Sequence, residues 1–438
     1  MFKILKKLSP SRIIALSFAT VIFIGSALLM LPCSINEGVD LRYIDALYTS
    51  ASAVCVTGLV TVDVGTAFTP IGQFFIAALI QIGGLGVTTV GAFIMLAMRK
   101  RINFRGRNLI REASNLNSGK GIVNFIQSVF LTTVAFELVG AALSFVVFVR
   151  DYPPLKALGI SLFHSIAAFN SSGFDNLGLS GELCSSISLM PYHNNILFNL
   201  TTCGLIIFGG IGFLVIREMI YKRFRWKKFS MHAKVVISVS ISLIIAGTLL
   251  LKLSENITWL EAFFHSVSAR TAGFSTYNIG SFSNAGLLVM IFLMFIGASP
   301  GSTGGGIKTT TFFVLLQGIK SAATNGSEKG FRYAIPNGTF RKAAVITLIA
   351  IGVVLTGTYL MVVMEPNVSF IDALFEMVSA FGTVGLSTGI TGTLTNASKV
   401  LSILVMYIGR LGPLTIATLW YFTKGERVEY PEGNITIG

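Results

Sequence analysis

The sequence predicts an all-α integral membrane protein in which four pseudo-symmetric units follow one another. Each unit is a spanning helix, a re-entrant segment and a second spanning helix. Three observations carry this. The 438 residues are 53% hydrophobic and only 12% charged, with a mean hydropathy of +0.75, against about 25% charged in a soluble domain. Eight apolar stretches reach the roughly 20 residues a helix needs to cross a bilayer. Between the members of each successive pair lies a shorter semi-apolar segment, and the four such segments align with one another.

The apolar stretches cover roughly residues 11–32, 69–98, 122–149, 192–220, 231–253, 284–319, 341–364 and 396–423. The first follows FKILKKLSPSR, as a signal peptide would, but LMLPCSINEG at its end offers no small-x-small cleavage site, so it reads as a retained helix. The intervening segments are IDALYTSASAVCVTGL (Ile44–Leu59), ISLFHSIAAFNSSGF (Ile160–Phe174), LEAFFHSVSARTAGF (Leu260–Phe274) and IDALFEMVSAFGTVGL (Ile371–Leu386). Each starts amphipathic, passes a pair of small residues and ends in a polar turn with Gly before Leu or Phe. Those glycines, Gly58, Gly173, Gly273 and Gly385, are spaced by 115, 100 and 112 residues. A period kept along the whole chain marks one structural unit used four times. The repeats are assigned to residues 1–110, 111–228, 229–335 and 336–438.

The formal charge of +14 is spread over short clusters between apolar runs, which excludes a continuous nucleic-acid face. Basic residues gather in Arg99–Arg107, in Tyr221–Lys228, at Lys320, Lys329, Arg332, Arg341 and Lys342, and at both ends of the chain: Lys3, Lys6, Lys7, Arg12, Lys424 and Arg427. Positive residues stay inside. Both termini and the three basic linkers are therefore expected in the cytoplasm, beside lipid headgroups, and the four short segments enter from outside. Four cysteines without CxxC spacing and four scattered histidines argue against a metal site. With no HExxH and no catalytic acid–His cluster, an enzyme is not expected.

Non-helical backbone at membrane depth is tolerated only where it is buried in protein or lines a water-filled path. Four equivalent re-entrant loops can converge on one axis, and their carbonyls can replace the hydration shell of a cation. Aiming successive carbonyls inward needs positive φ, which glycine adopts without steric cost. The architecture thus becomes four helix–pore loop–helix repeats. The candidate selectivity filter is Val56, Thr57 and Gly58, Ser171, Ser172 and Gly173, Thr271, Ala272 and Gly273, and Thr383, Val384 and Gly385. The short helices would point their partially negative C-termini at the path, with Asp45, Glu261 and Asp372 capping the other ends. Thr49, His164, His265 and Glu376 share one repeat position, and three different kinds of side chain there argue against a metal. Arg270 is expected to brace the third loop, and Glu137 to pair with a neighbouring helix.

These loops, with CVTGL (Cys55–Leu59), GTVGL (Gly382–Leu386), SARTAGF (Ser268–Phe274), MFIGASPGSTGGGIKTTTF (Met294–Phe312) and YIGRLGPLT (Tyr407–Thr415), resemble the Ktr/Trk/HKT superfamily of cation transporters over essentially the whole chain. Within it the chain looks most like the bacterial Ktr-type membrane subunit. The resemblance implies uptake of potassium across a bacterial plasma membrane, no cofactor in this chain, and sodium left open as an activator. It also implies a homodimer with one pore per protomer, on a separate cytosolic nucleotide-binding ring. No GxGxxG fingerprint occurs in this chain, so that ring would be another polypeptide.

The stretch Gly297–Thr309 comes close to GxxxxGK[ST], but Ile307 separates Gly306 from Lys308. A phosphate loop needs that Lys directly after the last Gly, and one residue more turns it about 100° around a helix. A run of five glycines, one proline and hydroxyl residues (Gly297, Ala298, Ser299, Pro300, Gly301, Ser302, Thr303, Gly304, Gly305, Gly306) breaks the third inner helix. A kink would need only one Gly or Pro. The resemblance implies an intramembrane gate loop. Arg410, near the middle of the last stretch, is a costly charge and a functional candidate. It is expected to face the cavity and donate to the loop, with Lys308 acting similarly. The rival reading, a secondary cation-coupled solute transporter with broken helices, is disfavoured because the basic linkers make the repeats parallel, not inverted.

Overall fold

The computed structural model describes residues 9–98, 106, 110, 121–178 and 188–418. Most of the Arg99–Arg107 cluster, together with Lys3, Lys6, Lys7, Lys424 and Arg427, lies outside the described residues.

Four long apolar helices open the four units: α1 (Pro10–Leu29), α5 (Ile122–Phe148), α9 (Met231–Ser254) and α13 (Thr339–Met364). Each is long and apolar enough to cross a membrane. Large apolar side chains such as Leu131, Leu253 and Leu348 stay exposed on them, as lipid-facing surfaces require. Each is followed by a helix too short to span: α2 (Tyr43–Cys55), α6 (Pro154–Phe169), α10 (Trp259–Ser268) and α14 (Phe370–Gly382). Local chemistry starts two of these helices where expected, whereas α2 has no side-chain cap because Asp45 pairs with Arg42 and Lys399 instead. The Thr258 hydroxyl and the Glu261 carboxylate form a reciprocal capping box at α10. At α14 the Ser369 Oγ accepts from Asp372 N at 3.2 Å and donates to its carboxylate at 2.6 Å.

The closing helix of each unit is broken, which corrects the expectation of one interruption, in the third unit only. α3 (Pro70–Leu85) and α4 (Val87–Ala97) meet at 100° across Gly86, and α7 (Ile196–Ile211) and α8 (Phe213–Tyr221) at 99° across Gly212. α11 (Asn284–Phe295) is separated from α12 (Thr309–Thr324) by a non-helical stretch, and α15 (Asn396–Leu411) from α16 (Pro413–Thr418) by Gly412. Gly86, Gly212 and Gly412 have φ of 86°, 97° and 88°, where an L side chain would clash with its own backbone. Among the described residues, the four long helices and the two bent pairs at Gly86 and Gly212 make six candidate spans by length and composition.

Small residues let the helices of a unit approach closely. A Cβ on Gly25 would collide with Ser50 and Leu79, one on Gly140 with Ser165 and Leu205, and one on Gly247 with Ser266 and Leu293. Those three serines donate to carbonyls of the long helices: Ser50 to Ile22 at 2.7 Å, Ser165 to Glu137 at 2.6 Å and Ser266 to Ile244 at 2.8 Å. The fourth unit uses Gly357 against the larger Met377 and Val405. The ring of units closes between the last and the first. Lys399 of α15 is 1% exposed and pairs with Asp45 of α2 at 2.7 Å, and Tyr407 donates to the Ala15 carbonyl at 2.6 Å.

Candidate functional site

The four short helices end in nearly the same way, and that ending aims the loops. At the C-termini of α2, α6 and α14 the chain turns into the left-handed region at Val56 (φ 57°), Ser171 (φ 57°) and Thr383 (φ 51°). The next amide closes back onto the helix: Thr57 N onto Ser52 O at 2.8 Å, Ser172 N onto Ala167 O at 2.8 Å and Val384 N onto Ser379 O at 2.9 Å. These are C-capping turns that satisfy terminal carbonyls, although non-glycine residues occupy the strained position. In two units a serine clips the following glycine, Ser52 Oγ accepting from Gly58 N at 2.9 Å and Ser379 Oγ from Gly385 N at 3.1 Å. The third loop differs. One residue fewer separates His265 from Gly273 than separates the corresponding pairs elsewhere, α10 stops at Ser268, and Thr271 sits at φ 106°.

The glycines then meet one another in sequence order. A Cβ on Gly58 would lie 3.0 Å from the Cα of Gly173, one on Gly173 3.0 Å from Gly273, one on Gly273 3.1 Å from Gly385, and one on Gly385 2.9 Å from Gly58. Each also abuts the carbonyl of the residue before the next glycine: Ser172, Ala272, Val384 and Thr57. The four form a closed ring with φ of 95°, 69°, 79° and 96°. No side chain fits, because both the dihedral and the neighbouring carbonyl exclude a Cβ. A cavity opens on the side of the chain that follows the glycines, lined by all four. The structure therefore brings together the residues expected from the four separate loops.

On the other side of the ring lies the polar stretch between α11 and α12. Its tip packs on the left-handed residues of two loops: Gly305 N donates to Thr383 Oγ1 at 2.9 Å, and Gly304 abuts the Thr271 hydroxyl. Its first half threads the bend of the second unit, Ser299 N donating to Gly210 O at 3.0 Å and Phe213 N to Gly301 O at 3.0 Å. Ser299 and Thr303 are buried, and the Ser299 hydroxyl meets that of Thr309 at 3.0 Å. The freed backbone groups of the break are thus re-satisfied within protein, as membrane depth demands. A second cavity, of about 300 Å³, lies below, lined by Gly304, Gly306 and Lys308 and by the helix breaks at Gly86 and Gly412.

Two cations hold this stretch. Lys308 Nζ donates to the carbonyls of Gly304 at 2.7 Å and Gly305 at 3.3 Å. Arg410 donates to the Thr303 carbonyl through one guanidinium nitrogen and to the carbonyls of Gly83 and Gly84 through the other. One side chain thus ties together three units. Arg410 was expected near the middle of a helix; it lies instead in the last turn of α15, which stops at Leu411. There a cation also complements the negative end of the helix. The breaks in the first, second and fourth units were missed. The signal is present in Gly83-Gly84-Leu85-Gly86, Gly209-Gly210-Ile211-Gly212 and Gly409-Arg410-Leu411-Gly412, an aligned Gly-x-x-Gly at each bend.

Arg270, His164 and Glu376 take partners outside the glycine ring. Arg270 reaches the carbonyl and hydroxyl of Ser240 on α9, at 3.3 and 3.2 Å, which suits a brace. His164 bonds Thr202 at 3.0 Å, and Glu376 accepts from Thr391 at 2.6 Å.

Comparison with known proteins follows the same lines. The TrkH family of cation transport proteins matches residues 8–239 and 232–426. The Ktr system potassium uptake protein B of Bacillus subtilis strain 168 is 36% identical over 458 aligned residues, covering 99% of this chain and 97% of the relative. The potassium/sodium uptake protein NtpJ of Enterococcus hirae is 34% identical, with coverage of 100% and 99%. Among solved structures, the potassium transporter TrkH from Vibrio parahaemolyticus has a TM-score of 0.73, covering 95% of this chain and 86% of that one at 19% identity. At that identity the likeness concerns the fold.

Proposed function

Because the chain belongs to the TrkH family of cation transport proteins, we propose that it takes up potassium through a central pore, with the glycine ring as selectivity filter. The family is one of transporters and not of enzymes, and the chain is a multi-pass membrane protein. The observation that carries the reading is the closed contact of Gly58, Gly173, Gly273 and Gly385, from four units, with a loop carbonyl beside each. Backbone carbonyls so disposed replace the water shell of a cation. Residues 56–58, 171–173, 271–273 and 383–385 form this filter.

The stretch Gly297–Gly306, with Lys308 and Arg410, is the gate. Its position between the two cavities, directly against Thr271 and Thr383, supports that role. In this reading the four units are helix–pore loop–helix repeats with the bounds given above, and each broken pair counts as one of eight spans. Both termini face the cytoplasm of a bacterial cell, and the chain works as a homodimer on a separate cytosolic regulatory subunit. Potassium is the transported ion. Sodium as an activator is a further part of this proposal, and the Enterococcus relative is named for uptake of both potassium and sodium.

Expression in a host lacking potassium uptake tests the function. Growth at limiting potassium should be restored, and restoration should be lost when Gly173 and Gly385 are both replaced by Val. Absence of growth with the chain present in the membrane would overturn the reading.

A further inference from the structure

Glu137 lies in the middle of α5, and among the described residues no Lys, Arg or His forms an ion pair with it. A carboxylate at that depth is costly and demands a role. It is held by two carboxamides. Gln81 Nε2 donates to Oε2 at 3.4 Å and Asn170 Nδ2 donates to Oε1 at 3.2 Å. Asn170 Nδ2 also donates to Gln81 Oε1 at 2.7 Å, which closes a triangle across the first and second units. Asn170 is fully buried and caps α6 immediately before Ser171, the left-handed residue of the second loop. Its Oδ1 lies against Gly84, where a Cβ would collide with it.

Two internal comparisons separate this triangle from ordinary packing. Ser50, Ser165 and Ser266 donate to the carbonyls of Ile22, Glu137 and Ile244, so these three occupy one repeat position. Two of the units fold with isoleucine there, and the architecture does not call for a carboxylate. Second, the serines that clip the glycines of the first and fourth loops, Ser52 and Ser379, stand six residues before them. The third unit has Ser268 five residues before Gly273, with its hydroxyl on the Phe274 carbonyl. The second unit has Ala167, which can make no such bond. Of the two loops without a serine-to-glycine clip, the third has Ser268 bonded to the Phe274 carbonyl and the second has the triangle.

Resting on the filter reading above, we infer that Glu137 is a positioning residue for ion discrimination. By holding Asn170 on Gln81 it fixes the turn at Ser171, and hence the direction of the Ser172 carbonyl that faces Gly58. The chemistry is hydrogen-bond substitution: a carboxyl group with two amide donors does from behind what a serine hydroxyl does from within.

The test compares potassium and sodium uptake by the full chain in an uptake-deficient host. Glu137→Ile should raise KM for potassium and lower potassium-over-sodium preference roughly tenfold, with maximal flux changed by no more than about twofold, since one hydrogen-bonded anchor is lost. Adding Ala167→Ser should restore preference by supplying the missing clip. If Glu137→Ile does not accumulate, Gln81→Leu, which removes two edges of the triangle, should move preference in the same direction. Unchanged preference in whichever of these accumulates overturns the inference, as does loss of maximal flux alone. Gly58→Ser is run in parallel. If it shifts preference and Glu137→Ile does not, this inference fails alone; if neither shifts it, the filter reading fails.

Discussion

Each ring glycine meets two constraints, a positive φ and a carbonyl within van der Waals contact of its missing side chain. Gly58→Ser is expected to violate both. The added group would press on the Ser172 carbonyl, widen one side of the ring and reduce potassium-over-sodium preference about tenfold, which is roughly 1.4 kcal/mol of differential binding. Competitive uptake at equal expression checks this, and unchanged preference would remove the first loop from the filter. Lys399 and Asp45 pose a different question. Both are buried, and their 2.7 Å pair joins the last unit to the first. Removing Lys399 leaves the buried Asp45 with only the exposed Arg42, at 2.9 Å, as counter-charge, at a cost of up to about 3–5 kcal/mol. Lys399→Met should therefore lower the melting temperature of the purified protein sharply, and Asp45→Asn added to it should recover much of the loss. If the double variant melts as low as the single one, the pair matters through packing and not through charge.

The stretch between α11 and α12 carries the next prediction at the level of the element. It is held by hydrogen bonds from two other units, Thr383 and Arg410 of the fourth and Gly209 and Gly210 of the second, and Arg410 also reaches across to Gly83 of the first. A guanidinium beside a cation path raises an electrostatic barrier while its donors anchor the loop carbonyls. Arg410→Ala should release both effects. Potassium flux is expected to rise several-fold, with ion preference intact because the ring is untouched. Deleting Ser302 and Thr303 should act in the same direction. Efflux from proteoliposomes measures both variants. If both reach the membrane and conduct less than the parent, the stretch is a structural joint and the gate reading falls.

At the scale of the whole molecule, the proposed sidedness sets the linkers at Tyr221–Lys228 and Lys329–Lys342 in the cytoplasm. Single cysteines introduced at Arg223 and Arg332, both in exposed turns, should resist an impermeant thiol reagent in intact cells and react in inverted vesicles. Cysteines at Asn36 and Asn278 should show the reverse. Labelling of all four from one side would break the parallel arrangement of the units.

Much of this was legible because membrane burial is written locally. A helix that faces lipid must be apolar along its length, so composition alone placed α1, α5, α9 and α13. The four turns were readable because each unit repeats the same solution, and Gly at one repeat position needs no partner to be recognised. The breaks at Gly86, Gly212 and Gly412 were not read, since glycine in an apolar helix serves close packing as often as it ends the helix; only the bend, filled by neighbouring units, distinguishes the two. Arg410 shows the same limit. Its charge announced a role, but its carbonyl partners come from residues 83, 84 and 303, more than a hundred positions away. The sequence by itself determined the helical membrane class, the fourfold period and the glycines. The tertiary structure decided that the glycines close into one ring, that the polar stretch lies against it, and which distant groups satisfy each buried polar atom. Those outcomes depend on non-local contacts, and in a low-dielectric interior the cost of leaving any such atom unpaired selects the packing that pairs it.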